Sequence, residues 1–67
     1  MITLVSNSGV AYFNATTKDI PSLPTKAKTG TPPPNGSYCV LIDTQSAIFF
    51  DEEVDDWLDE NGERLHV

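Results

Sequence analysis

The apolar residues of this chain come in short bursts, none long enough for more than one strand. Ile2-Thr3-Leu4-Val5 and Val10-Ala11-Tyr12-Phe13 flank Ser6-Asn7-Ser8-Gly9, a cluster of residue types that tolerate turn geometry, so the pattern predicts a hairpin over residues 1–13. In its second limb Val10 and Tyr12 alternate with Ala11 and Phe13. Each face then carries an aromatic side chain, and this strand is expected to have neighbours on both sides. The densest apolar run comes later, as Tyr38-Cys39-Val40-Leu41-Ile42 and Ala47-Ile48-Phe49-Phe50 around the reversal Asp43-Thr44-Gln45-Ser46. Short length and β-branched and aromatic content predict a central hairpin, with Tyr38, Val40 and Ile42 on one face and Cys39 and Leu41 on the other.

Between the hairpins the character changes. Asn14 to Ile20 is polar and short-side-chained, and Pro21, Pro24, Pro32, Pro33 and Pro34 follow. Proline fixes its own backbone and removes a ladder donor, so no central strand or long helix can run through residues 21–34. Residues 14–36 therefore read as an extended connector. Pro32-Pro33-Pro34 is its polyproline II segment, and Ile20 and Leu23 are its pins onto the sheet. The charge that orients an SH3-type ligand is missing around the prolines, which favours a spacer. Asn35-Gly36 supplies the turn into the central hairpin.

Past Asp51 two readings stand. Asp51 to Glu60 forms a short acidic helix, with acids in its first turn, Val54, Trp57 and Leu58 on one face, and Asn61-Gly62 as its stop. Alternatively, Asp51 to Asp56 is a hairpin loop and Trp57-Leu58-Asp59 a strand. Asn61-Gly62 is then the centre of a type I′ turn, and Arg64 to Val67 is the last strand. Repulsion among the carboxylates between 51 and 60 weakens the helix.

Sixty-seven residues make one domain, in which an isolated core is marginal. The usual staples are missing: one cysteine, Cys39, and one histidine, His66, make neither an internal disulfide nor a structural zinc site. Association with copies of itself or with a larger assembly is the expected stabiliser. The net charge of −6 is uneven, with residues 1–50 summing to +1 and residues 51–67 to −7. Binding to nucleic acid or to an anionic membrane by charge is disfavoured. With no basic leader and no long apolar run, the chain is expected to be made in a cytoplasm.

Candidate chemistry is sparse. Cys39, in a strand, reads as a small buried hydrophobe and not a nucleophile, and His66 as an exposed strand residue. The acidic run fails the EF-hand spacing, since Asp56 stands at the sixth position from Asp51 and Gly62 at the twelfth, where the loop needs Gly and Glu. No catalytic, cofactor-binding or metal-binding residue is assigned. Trp57 reads as the residue that closes the sheet over Phe49 or Phe50, because an indole is too large a share of so small a core to leave outside. Exposed, it would instead mark a partner surface or a platform for sugar rings.

The order Leu23-Pro24, Asn35-Gly36-Ser37, a β-branched run to Ile42-Asp43-Thr44, an aromatic run to Phe50-Asp51 and then Trp57 resembles a short module of bacteriophage virion proteins. The similarity covers roughly residues 20–60. Its parts depart from that pattern in three places: Gln45 replaces the usual reversal glycine, the connector over Lys26 to Pro33 is longer, and Val54 sits where a loop glycine or asparagine is usual. The resemblance favours strands over the helix in the tail. It implies a mainly β fold, a small antiparallel meander of four to five strands with a long Pro-rich connector. It also implies a non-enzymatic virion component without cofactor: a head fibre, a decoration protein or a tail or neck accessory. Such a protein would contact other virion proteins and its own copies, and neither nucleic acid nor membrane. Trp57, Phe49, Tyr38, Pro32, Pro33 and Pro34 are the candidate contact residues. Two rivals remain, a small acidic inhibitor of a host protein that mimics DNA, motivated by the −7 tail, and a carbohydrate-binding fibre tip, which requires an exposed Trp57.

Overall fold

In the computed structural model, which describes residues 1–67, the chain is mainly β. Five strands, β1 (Thr3–Ser8), β2 (Val10–Ala15), β3 (Tyr38–Leu41), β4 (Ser46–Asp51) and β5 (Asp56–Leu58), lie in chain order in one sheet. Neighbouring strands pair antiparallel except β2 and β3, which are parallel, with Tyr12 opposite Tyr38 and Ala15 opposite Leu41. The all-antiparallel meander expected from the sequence is thereby corrected to a mixed sheet. Connector length is the reason. Residues 16–37 are long enough to carry the chain back across the sheet before β3 starts, and a parallel pair requires such a crossover.

The connector is also not extended. β2 continues through Ala15, Thr17–Ser22 forms a 3-10 helix, and Lys26–Thr29 forms one turn of α-helix, α1. Polar side chains make these turns. The Asp19 carboxylate accepts from the backbone N and Oγ1 of Thr16 at 3.1 and 3.0 Å, and Thr25 Oγ1 accepts from the Lys28 N–H at 3.3 Å. Gly30, at φ 79°, ends α1 and donates to the Lys26 carbonyl at 2.8 Å. Proline still keeps every helix here short, and none is long or apolar enough to cross a membrane.

The connector folds over one face of the sheet and completes the core there. Ala15, Leu23, Cys39, Leu41, Ile48, Phe50 and Trp57 are buried together, with Ile2, Phe13, Ile20, Leu65 and Val67 packed against them. Leu23 and Ile20 thus pin the connector as the sequence predicts. Trp57 is fully buried. Its Nε1 donates to the Pro24 carbonyl at 3.0 Å, and its ring meets Phe50 and Phe13 edge-on at 5.5 and 6.0 Å. The indole therefore closes over Phe50, not Phe49.

Turn chemistry shifts several boundaries. The first hairpin reverses at Gly9 alone, φ 90°, with Ser8 opposite Val10, so the polar Ser6-Asn7-Ser8 belongs to β1 and not to a turn. Each part of Asn35-Gly36-Ser37 has its own task. Asn35 Oδ1 accepts from the Glu52 N–H at 2.9 Å, and Gly36 takes the positive φ of 86°. The buried Ser37 hydroxyl donates to the Pro34 carbonyl at 2.6 Å and accepts from the Ala11 N–H at 2.9 Å.

β3 stops at Leu41, and the four-residue reversal expected over residues 43–46 lies one residue earlier, at residues 42–45. Gln45 adopts φ 58°, and its Nε2 donates to the Ile42 carbonyl at 2.7 Å.

The tail contains no helix: residues 52–55 are a loop and β5 follows. The expected last strand reduces to a bridge between Leu58 and Arg64 and a bond from Leu65 N–H to the Trp57 carbonyl at 2.9 Å. The Asn61-Gly62 turn is not type I′, because only Gly62 has positive φ. Instead the Gly62 N–H bonds the Asp59 carbonyl at 3.0 Å, while the Asp59 carboxylate takes the Asn61 and Glu63 N–H groups at 2.8 and 3.0 Å. This is a type I turn closed by a left-handed glycine.

Candidate interaction surface

The connector lies on one side of the sheet, and none of the chain's helical turns or strands lies on the other, where only the C-terminal residues reach over Asp56 at the β5 end. Along β4, Ile48 and Phe50 are buried while Phe49 is 49% exposed, so Phe49 faces away from the core. Strand register then aligns Tyr12, Tyr38, Phe49 and Leu58 directly opposite one another across four strands. Tyr12 and Tyr38 stack at 4.7 Å between centroids, and Tyr38 and Phe49 meet at 6.2 Å. Asn14, Val40 and Ala47 form the adjacent row. Neither row contains a charged residue. Aromatic side chains ordered by one another offer large contact area with little rotamer freedom left to lose, which suits a docking surface.

A second apolar feature lies at the β1 side. A groove of about 480 Å³ is lined by Leu4, Asn7, Ala11, Phe13, Pro24 and residues 31–34. The proline run forms its wall, with Pro33 buried, Pro32 half-buried and Pro34 exposed.

The predicted contact residues therefore separate into three places. Phe49 and Tyr38 lie on the open face, Pro32, Pro33 and Pro34 on the groove, and Trp57 in the core, where it can touch no partner. Burial of Trp57 also removes the sugar platform that a carbohydrate-binding tip requires. Tyr12 was not singled out from the sequence as a contact residue; the alternation marked its face, but its place beside Tyr38 follows from the parallel β2–β3 pairing.

Acidic residues divide by type. All six aspartates accept backbone N–H groups: Asp19 from Thr16, Asp43 from Thr17, Asp51 from Glu53, Asp55 from Lys26 and Ala27, Asp56 from Trp57, His66 and Val67, and Asp59 from Asn61 and Glu63. No glutamate carboxylate makes such a bond, and Glu52, Glu53, Glu60 and Glu63 are all exposed. Asp56 is 1% exposed and binds Arg64 Nε at 2.9 Å. Burial works to raise the Asp56 carboxyl, but the Arg64 hydrogen bond and the N–H groups of Val67, Trp57 and His66 outweigh it and hold the group below the usual carboxylate range. No His, Cys, Asp or Glu side chains gather in threes as a metal site requires. In the sequence Asp56 is one of the acids between residues 51 and 60, and the one signal of its pairing is Arg64, the only Lys or Arg of the tail.

Cys39 is fully buried, and desolvation, with a smaller contribution from the Asp19 charge, pushes its thiol up to about 11. His66 is exposed at the other extreme, at φ 57°. Compared with family models, curated proteins and solved structures, the chain matches none.

Proposed function

We propose that this chain is a structural component of a bacteriophage virion, a head fibre, decoration or tail or neck accessory protein that acts through contacts with other virion proteins and with its own copies. The observation that carries the contact-making role is the uncharged row of Tyr12, Tyr38 and Phe49 on the open face. A face of this kind is rare on a protein that works alone, and rigid rings make it an efficient docking surface. The resemblance of residues 20–60 to phage virion modules supplies the context. The acidic-inhibitor alternative rests on the −7 of the tail, but its aspartates are tied into the tail's own turns, and only the four glutamates present carboxylates that make no hydrogen bond within the chain.

Mass spectrometry of purified phage particles tests the assignment. The chain is expected at a fixed copy number per particle, and Phe49→Lys is expected to reduce its incorporation without altering its fold. Particles that lack the chain altogether would reject the virion role.

A further inference from the structure

The two edges of the sheet are treated differently. Beyond β5, the C-terminal segment bonds back through Leu65 to Trp57 and is anchored on Asp56, so that edge is covered. Beyond β1 lies nothing. All six of its residues, Thr3–Ser8, are exposed, and it carries neither charge nor proline, two of the devices that keep an edge from pairing. Its one irregularity is the bulge between Leu4 and Ser6. Leu4 and Val5 are 54% and 49% exposed, which places apolar side chains on the bare edge.

We infer that β1 is the pairing edge for a second copy of this chain, meeting the partner's β1 antiparallel across a two-fold axis normal to the sheet. This details the copy-to-copy part of the function proposed above, and its test needs no phage particle. The pairing would join two five-stranded sheets into one of ten strands. Such an axis keeps both core sides on the same side of the joined sheet. Leu4 of each copy, which lines its own groove with Phe13 and Pro33, is thereby carried toward the groove of the other. Strand addition gives main-chain hydrogen bonds, and the groove gives a side-chain pocket beside them. A β edge is its own complement under a two-fold, as an isologous interface requires.

Charge selects the occupant. Residues 51–67 sum to −7 and the rest of the chain to +1, so two copies repel where their acidic tails approach. β1 and the groove lining contain no charged residue at all, and this is where like-charged copies can meet at least cost. A basic partner would be drawn instead to the exposed Glu52, Glu53, Glu60 and Glu63.

Size-exclusion chromatography with light scattering on the full chain provides the test. The expected result is a dimer with a dissociation constant of about 1 μM to 100 μM. Leu4→Lys or Val5→Lys should weaken it at least about tenfold, through a charge placed in a seam that is otherwise uncharged and apolar. Far-UV circular dichroism should stay unchanged in both variants, and Phe49→Lys should leave the dimer intact. Should the lysine variants fail to fold, hydrogen exchange on the unmodified chain decides, because the β1 amides must slow as concentration rises. A chain monomeric up to about 1 mM, β1 exchange independent of concentration, or a dimer lost in Phe49→Lys and kept in Val5→Lys would each overturn the inference.

Discussion

An aspartate carboxylate sits at the distance from its own main chain that lets it accept N–H groups of a turn, whereas a glutamate must order one more rotatable bond to do the same. This chain follows that division throughout, and Asp56 is its costliest case. The group is buried, holds Arg64, and gathers three backbone N–H groups of which two belong to the C-terminal segment. Asp56→Ala should therefore cost about 3–5 kcal/mol in urea unfolding, the scale for breaking a buried charged network, and should free residues 63–67 to exchange. Protonation probes the same contacts. Asp19, Asp43 and Asp56 all have folded-state carboxyls below the ordinary 3.8, Asp19 at about 2 because the terminal amine and then the Thr16 N–H bind its charged form. The unfolded chain therefore takes up protons first. The stability these groups contribute is complete above the unfolded value and is lost as pH falls through the folded ones. The urea midpoint is expected to hold steady down to pH of about 5 and then fall between about 4 and 2; a midpoint insensitive to acid across that window would contradict the assignment.

At the scale of elements, the two loops that flank β4 are built alike, each with four residues whose last takes positive φ, Gln45 in one and Asp55 in the other. Glycine at either position would relieve backbone strain of about 1–2 kcal/mol, so the side chain's own bonds decide the sign. Gln45 makes one bond, within its own loop. Asp55 makes two, at 2.7 and 3.0 Å, to the first N–H groups of α1, and joins the β4–β5 loop to the connector. Gln45→Gly should then change stability by no more than about 0.5 kcal/mol, while Asp55→Gly should lose about 1 kcal/mol or more in spite of the relief. Chemical denaturation of the pair measures the difference, and equal effects would mean that the α1 contact adds nothing. Ser37 is the corresponding joint between β2 and the turn before β3. Ser37→Ala leaves the Ala11 N–H buried without an acceptor and should cost about 1–3 kcal/mol.

For the molecule as a whole, the number that matters is the size of the core, 12 buried residues of 67. A domain of this length has about 3–10 kcal/mol of stability in total. Removing the Trp57 indole costs about 3–5 kcal/mol, so Trp57→Ala should leave little or no folded protein. Phe49→Lys, on the open face, should unfold at nearly the unmodified urea concentration. As the only tryptophan, Trp57 reports directly on this. Its emission should be blue-shifted and protected from iodide in the folded chain, and ready quenching would place the indole outside the core. If copies pair through β1, the melting temperature should also rise with protein concentration, since dimerisation draws on the folded form alone.

The mainly β character, the central hairpin, the anchoring of the connector by Ile20 and Leu23 and the inward place of Trp57 are all legible in the residues themselves. Each depends on local preference or on the alternation of one short segment, which needs no knowledge of what lies beside it. The parallel β2–β3 pair, the Tyr12–Tyr38–Phe49 row, the groove between Leu4 and the prolines and the burial of Asp56 are not legible in that way. The first three require residues far apart in the chain to meet in one register, and register follows from how the connector folds back over the sheet; the burial of Asp56 depends on partners 1 to 11 residues away, but mostly through backbone N–H groups that leave no side-chain signature. The connector was the segment least readable by pattern, because prolines excluded long elements there without indicating which short turns Asp19 and Thr25 would make. Composition thus determined what this chain is made of, strands around a small core with charge gathered at one end; the crossover decided which of its faces and edges were left for other molecules.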